Sequence, residues 1–237
     1  MSTRAKWING ILHFFETTTY ETVEPLAPLA SYDDFVGALL DVQKWTKRVT
    51  GAAPPTQLLK AVGNGVLELL LTNANEIQLS GVDWGDIRSL VLNQGLMFEA
   101  KVRFTTLPAV ASTAVVGLAG NHNAAIDTVA ESIWFRWDFS GLITVEHDDA
   151  GGGHESSKVT TGVTLTTQWV ILKIDCTNIA DIRFYIDGQA VATGTTFNMS
   201  GVPALLLQPV ARLDKAAAAA NLGVMEVDYV RVWQARS

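Results

Sequence analysis

Acidic side chains two residues apart are the first candidates for chemistry in this sequence. Hydrolysis of a glycosidic bond uses two carboxyl groups, one as acid and the other as nucleophile or base. Only Glu146-His147-Asp148 and Glu226-Val227-Asp228 begin a Glu-x-Asp pattern, and neither is followed by a second glutamate one or two positions later. We therefore expect no enzyme activity of this kind, unless a carboxylate pair assembles from separate strands.

Aromatic and polar side chains could bind a sugar instead, because an aromatic ring packs on the apolar face of a pyranose. In the segment 133–137 the alternation places Trp134 and Arg136 on one face of a strand and Trp137 on the other. We expect Trp137 in the core and Trp134 on the sheet surface. The candidate glycan-binding residues are Trp134, Arg136, Tyr185 and His122.

These residues fall in a chain with the pattern of an all-β protein. Residues 98–104 alternate between apolar and charged side chains, which is typical of a half-buried strand. Asp187-Gly188 predicts a hairpin turn. Cys176, the single cysteine, lies in an alternating segment, so we expect a buried thiol and no disulfide. Further strands are predicted at 113–119, 142–147, 168–176, 182–187 and 224–234.

The first 30 residues form a distinct N-terminal segment. Asn9-Gly10 between two short apolar runs predicts a hairpin, and Pro25 and Pro28 favour an extended arm behind it. Apolar residues of such an arm need a surface to cover, either on their own domain or on a neighbouring subunit. The candidate assembly residues are Trp7, Ile11, Leu12, Phe14, Phe15, Val23, Leu26 and Leu29.

Composition narrows the class of partner. The chain has 237 residues, a net charge of −7 and only 17% charged residues. The negative charge disfavours nucleic acid and anionic membranes, and no apolar stretch is long enough to span a bilayer. The apolar run near the N-terminus is interrupted and lacks a small-x-small cleavage site, so we expect synthesis in a cytoplasm without export. The low charge density favours a homo-oligomer, for which we predict a trimer.

Three segments carry a resemblance to a known fold family: Tyr32–Trp45, Phe98–Phe104 and Val227–Trp233. They are similar to the concanavalin A-like lectin/glucanase (LamG-like) jelly roll. The resemblance implies an all-β jelly-roll β-sandwich over residues 31–237, preceded by the hairpin and extended arm of residues 1–30. It also implies a structural calcium near the chain ends with Asp228 as a ligand. No other cofactor is expected.

The opening of the chain carries a second resemblance. Arg4–Gly10, Glu21–Val23 and Tyr32–Phe35 are similar to segments of tailed-bacteriophage virion proteins. This resemblance implies a non-enzymatic virion protein, a capsid-decorating or cementing subunit that binds other capsid or tail proteins. The alternative is a lectin-like, carbohydrate-binding module for a cell-surface glycan, and a third reading is a degenerate glycoside hydrolase. Co-purification with particles, glycan retention and turnover would separate the three.

Overall fold

The computed structural model describes residues 29–60, 62–63, 65–107, 111–138, 141–151, 157–217 and 223–235, together with the backbone of residues 3–8, 11–16 and 22–23. Within this part the chain is almost entirely β-strand, with a short 3-10 turn at Ile126–Thr128. None of its helices is long and apolar enough to cross a membrane.

The strands of the first half of the chain are β1 (Thr3–Ile8), β2 (Ile11–Glu16), β3 (Thr22–Val23), β4 (Leu29–Asp33), β5 (Thr46–Thr50), β6 (Thr56–Leu59), β7 (Leu67–Leu70), β8 (Gln78–Asp83), β9 (Leu90–Val91), β10 (Met97–Thr106) and β11 (Ser112–Ala119). Those of the second half are β12 (Glu131–Asp138), β13 (Leu142–Asp149), β14 (Val159–Thr164), β15 (Val170–Asp175), β16 (Arg183–Ile186), β17 (Gln189–Val191), β18 (Leu206–Lys215) and β19 (Val224–Gln234). The strands predicted from the sequence begin and end within a few residues of these observed strands.

Two antiparallel sheets make the sandwich. The first sheet has the order β17-β16-β15-β10-β19-β7-β6, with β4 beside β19. The second sheet has the order β14-β13-β12-β11-β18-β8-β5, with β9 beside β18. Neighbours such as β10 and β19 lie far apart in the chain, so long crossovers set this order. The predicted all-β sandwich is confirmed.

Aromatic rings from both sheets meet in one core. The Phe104 ring of the first sheet lies 5.4 Å from that of Trp137 in the second, and Phe135 lies at the same distance from Phe184. All four side chains are buried, and each contributes about 2–3 kcal/mol by leaving water. The core position predicted for Trp137 is thus confirmed. Cys176 is a free buried thiol, as expected, and its burial raises its pKa.

The N-terminal strands form a separate three-stranded sheet. β1 pairs with β2, with Ile8 opposite Ile11, so the predicted hairpin is confirmed at the level of strand pairing. Leu29 starts β4 opposite Gln234 and packs against the core, so it belongs to the sandwich instead of the arm. Leu26 lies outside the described residues. Only the backbone is described for the other candidate arm residues, which are Trp7, Ile11, Leu12, Phe14, Phe15 and Val23.

Glu226 is a fully buried acid on the outer side of the first sheet. Its carboxylate accepts from Lys60 Nζ and Arg103 Nε, both at 2.6 Å. Burial alone would raise the pKa of Glu226, but these two hydrogen bonds outweigh burial and lower it. Lys60 also contacts Glu68 at 3.0 Å. The network ties β19 to its neighbours on both sides, β7 and β10.

Replacing Glu226 with glutamine should lower the free energy of unfolding by about 2 kcal/mol at pH 7, because two cations lose their buried counter-charge. The folded-state pKa is depressed, so the native stabilisation is present above the ordinary glutamate pKa of about 4.3 and disappears as the pH falls through the folded value. Urea denaturation should therefore show the variant and the native protein converging at low pH. Glu68→Gln is the matched control, with a smaller loss, and equal stabilities of Glu226→Gln and native protein at pH 7 would contradict this account.

Candidate functional site

The outer face of the second sheet contains most of the candidate glycan-binding residues. Trp134 and Arg136 lie on this face of β12, because the residues that alternate with them along the strand fill the core. In register, Trp134 faces Gly117 on β11 and Glu146 on β13. A Cβ at position 117 would come within 2.8 Å of the Trp134 Cβ, so glycine permits the close approach of the two strands. The Trp134 indole N–H donates to Glu146 Oε1 at 2.5 Å.

A loop covers this part of the sheet. Residues 120–130, here termed the crossing loop, connect β11 to β12. Ile126 and Val129 of the loop pack on Trp134 in a hydrophobic cluster separate from the main core. Trp134 is therefore only 3% exposed. It lies on the predicted face, but its ring is not available as an open stacking platform, which corrects the expectation from the sequence.

Polar contacts fix the crossing loop to the sheet. The Arg212 guanidinium on β18 donates to the carbonyl oxygens of Asn123 and Ala124, both at 2.6 Å. The backbone N–H of His122 donates to Asp86 Oδ1 at 2.6 Å. These bonds give the loop backbone partners that replace water where the loop lies on the protein.

Arg136 is buried on the outer face, where its guanidinium contacts three carboxylates. Its Nη1 lies 2.6 Å from Asp127 in the crossing loop and 3.1 Å from Glu146 on β13. Its Nε lies 3.1 Å from Asp138. Burial alone would lower the pKa of Arg136, but the surrounding carboxylates raise it. The guanidinium thus stays charged at the centre of the site.

A cleft of about 130 Å³ opens where the crossing loop meets β12 and β13. It is smaller than the ~300 Å³ of typical small-molecule sites, so a ligand there can be no larger than about one sugar unit. One wall is apolar and consists of Ile126, Val129 and Trp134. The remaining lining is mostly polar and consists of Asp127, Ser132, Arg136, Glu146, His147 and Asp148.

His122 lies on the same face, at the start of the crossing loop. It is half-buried, and its Nδ1 lies 3.8 Å from Asp83 Oδ2. Burial lowers the pKa of His122, and the positive charges of Arg212 and Arg48 lower it further. The imidazole is therefore neutral at pH 7. Three of the four predicted glycan residues, Trp134, Arg136 and His122, are thus brought to one face.

Tyr185 lies on the opposite side of the molecule. It projects from the outer face of the first sheet, since its neighbours Phe184 and Ile186 are core residues. In register it faces Lys173, whose Nζ lies 5.8 Å from the ring centroid. Packed sheets are separated by about 10 Å. Tyr185 therefore cannot share a sugar platform with Trp134.

The surroundings of Asp228 do not fit the calcium site expected from the resemblance. Asp228 lies at a β-bulge in β19, where the register with β10 shifts. Its carboxylate pairs with Lys101 Nζ at 2.8 Å. Among the described residues, no group of three or more acidic, histidine or cysteine side chains is placed to hold a metal. A cation would have to displace the lysine.

Cations bridge two close acidic pairs of the sandwich. Arg48 contacts Asp83 and Asp86 at 2.8 Å each, much as Lys60 joins Glu68 and Glu226. Burial alone would raise the pKa of Asp86, but hydrogen bonds from His122, Arg48 and Gln208 lower it overall. The pKa of Glu226 is lowered in the same way. Such carboxylates are poorly suited to carry a proton to a leaving group.

A second recess was not foreseen from the sequence. It is a wide groove of about 490 Å³ between the loop that precedes β5 and the turn that follows β8. Its floor contains Trp84, half-buried against the core. The sequence signal was the turn Asp83-Trp84-Gly85-Asp86, an aromatic residue among turn formers. The other lining residues are Ser31, Asp41, Gln43, Lys44 and Ile87.

Several solved structures have the same fold. A β-1,3-glucanase from Mycobacterium marinum aligns with 86% of this chain and 97% of its own, at 20% identity and a TM-score of 0.60. A mixed-linkage glucan GH16 protein from Bacteroides ovatus aligns with 85% of this chain and 99% of its own, at 13% identity and a TM-score of 0.63. A Mycobacterium tuberculosis protein described as a pseudo β-1,3-glucanase aligns with 87% and 98%, at 17% identity and a TM-score of 0.56.

These matches establish the fold class. The protein is a concanavalin A-like jelly-roll sandwich of the type found in GH16 glucanases. A scan against protein-family models and a search of curated proteins find no match. None of the comparisons supports a bacteriophage virion context, so the capsid-decorating role expected from the opening segments gains no support.

Shortening Ile126 to alanine should loosen the crossing loop, because this buried side chain packs it onto Trp134. We expect a local loss of about 2 kcal/mol, seen as faster amide hydrogen exchange in residues 121–130 and stronger quenching of tryptophan fluorescence by acrylamide. The control is Ile77→Ala, since Ile77 is largely exposed. Exchange in the loop that is the same in both variants would show that Ile126 does not hold it.

Proposed function

We propose that this protein is a non-catalytic carbohydrate-binding jelly roll that holds one unit of a neutral β-glucan in the cleft beside Trp134. The polar lining of the cleft carries the proposal, since several charged groups converge beside the edges of the mostly buried Ile126, Val129 and Trp134. A sugar offers an apolar ring face and hydroxyl groups that both donate and accept hydrogen bonds. The glucanases that share the fold indicate the class of sugar.

The charge of the cleft selects against acidic sugars. Asp127, Glu146 and Asp148 face a single guanidinium, that of Arg136. The carboxylates accept hydrogen bonds from sugar hydroxyls, and Arg136 donates them. A uronate or sulfated sugar would be repelled by the excess of carboxylates in the cleft and by the net charge of −7 of the whole chain. A neutral glucan meets no such repulsion.

The same contacts support binding without hydrolysis. A glycosidase needs one carboxyl group that carries a proton and a second that acts as nucleophile or base. Asp127 and Glu146 both contact the same nitrogen of Arg136, at 2.6 and 3.1 Å. Both carboxylates are thus engaged with the same permanent cation and are not free to act as an acid and nucleophile pair. The Mycobacterium tuberculosis protein with the same fold is described as a pseudo β-1,3-glucanase, which is consistent with the proposal.

Isothermal titration calorimetry with a β-1,3-linked disaccharide tests binding in the cleft. We expect a dissociation constant of about 1 mM for a contact limited to one sugar ring. Glu146→Gln should weaken it at least fivefold, because a charged acceptor and a partner of Arg136 are lost, whereas Glu68→Gln on the first sheet should leave it unchanged. An acidic disaccharide should bind far more weakly. Equal affinity of Glu146→Gln and the native protein would reject the cleft as the site.

Incubation with β-1,3- and mixed-linkage glucans should leave the polysaccharides intact. The reason is the engagement of Asp127 and Glu146 with Arg136. We expect no reducing ends above the buffer blank between pH 5 and 7, while a glucanase added in parallel releases them. Turnover by the native protein that Glu146→Gln abolishes would show an enzyme instead.

A further inference from the structure

The β4–β5 loop, residues 34–45, presents apolar side chains to solvent. Val36, Leu39 and Val42 are 65%, 86% and 71% exposed. Ile87, which is 67% exposed, lies across the wide groove from this loop. Monomeric proteins rarely leave several large apolar side chains this exposed around one recess, and such a patch marks a surface that another molecule covers.

The β4–β5 loop is fixed by its own core contacts. Phe35 is buried with its ring 5.7 Å from that of Trp45, and Leu40 is buried as well. The Asp33 carboxylate accepts the backbone N–H of Phe35 at 2.9 Å and the indole N–H of Trp45 at 2.6 Å. The Asp41 carbonyl oxygen accepts the backbone N–H of Trp45 at 2.8 Å. The exposed side chains are therefore positioned in advance, which lowers the entropy cost of a contact through them.

The Trp84 groove, the recess between this loop and the turn after β8, has room for a protruding apolar side chain. Its volume of about 490 Å³ is more than enough for a leucine. Trp84 forms the floor, half-buried and with its ring 6.4 Å from that of Trp45. On the rim, Lys44 Nζ donates to the Tyr32 carbonyl oxygen at 2.7 Å and lies 3.4 Å from Asp33. Covering the rim therefore leaves the lysine with partners inside its own chain.

A protruding leucine and a groove that can accept it lie side by side on one chain, which suits a two-fold contact between identical copies. When Leu39 of one copy enters the groove of the other, the reverse contact forms at the same time. The four exposed side chains offer on the order of 500 Å² of apolar surface, more than half of the ~800 Å² that each partner buries in a standard interface. Because homodimer interfaces are about 65% apolar, this patch supplies nearly all of the apolar area that a small dimer needs.

We propose that the β4–β5 loop and the Trp84 groove form the interface of a symmetric homodimer, in which Leu39 of each copy packs against Trp84 of the other. This inference does not depend on the proposed function. The net charge of −7 on each copy opposes the contact, and salt screens this repulsion. We expect a dissociation constant of about 10 μM, which falls as the salt concentration rises.

Sedimentation equilibrium of the full chain tests the interface. Leu39→Ser and Ile87→Ser should each weaken the dimer at least tenfold without changing thermal unfolding of the monomer, because both side chains are largely exposed. Ile77→Ser is the matched control, since Ile77 is 62% exposed but precedes β8, whereas Trp84 follows it. A protein that stays monomeric at ten times the expected dissociation constant, or that forms a trimer, would overturn the proposal. A dimer that both groove variants leave intact would also overturn it.

A charge exchange tests whether Leu39 meets the groove of the other copy. Leu39→Glu and Ile87→Lys should each abolish the dimer, because every contact then sets a charge against an apolar side chain. An equal mixture of the two variants should form a heterodimer, with one native contact and one Glu–Lys pair, at least fivefold more tightly than either variant alone. A mixture that stays monomeric would contradict the reciprocal contact. Both variants should bind the β-glucan disaccharide as the native protein does, so this test and that of the cleft fail independently.

Discussion

The buried guanidinium of Arg136 determines the arrangement of the candidate site. An isolated buried charge would cost several kcal/mol, and arginine cannot escape this cost by losing its proton. Asp127, Asp138 and Glu146 supply the counter-charge from the crossing loop, from β12 and from β13. Because Asp127 belongs to the loop, the same ion pair draws the loop onto the sheet. Together with the Arg212 hydrogen bonds and the packing of Ile126 and Val129, this contact holds the loop over Trp134.

Under the proposed function, this arrangement serves recognition and not catalysis. Carboxylates held by a permanent cation are oriented hydrogen-bond acceptors, and their orientation reduces the entropy cost of binding a ligand. The ion pairs also keep these groups in contact with Arg136. One jelly roll can thus serve a glucanase or a binding protein, depending on which side chains occupy the face, and fold alone does not decide between them.

The sequence predicted the parts of this structure that depend on local pattern. Alternation placed Trp134 and Trp137 on opposite faces of β12, and Asp187-Gly188 marked the hairpin in which Ile186 pairs with Gln189. The crossing loop could not be predicted, because it is fixed by Arg212, nearly 90 positions away in the chain. That long-range contact is one of those that hold the loop over Trp134.

Other features of the structure could not be predicted from the sequence for related reasons. Alternation shows which residues of a strand share a face but not which sheet the strand joins, so Tyr185 was grouped with Trp134 although crossovers place them in different sheets. The Trp84 groove forms between two loops that are about 40 positions apart in sequence. A local sequence pattern does not show which distant loops lie next to each other in the fold.

A crystal structure of the protein with a neutral β-glucan oligosaccharide at neutral pH would test the central claim most directly. The account predicts an intact saccharide with one unit in the cleft, its hydroxyl groups bonded to Glu146 or Asp148 and to Arg136, and the ion pair between Arg136 and Asp127 preserved. A cleaved saccharide, or an intact one bound only elsewhere on the molecule with the cleft closed to it, would contradict the account.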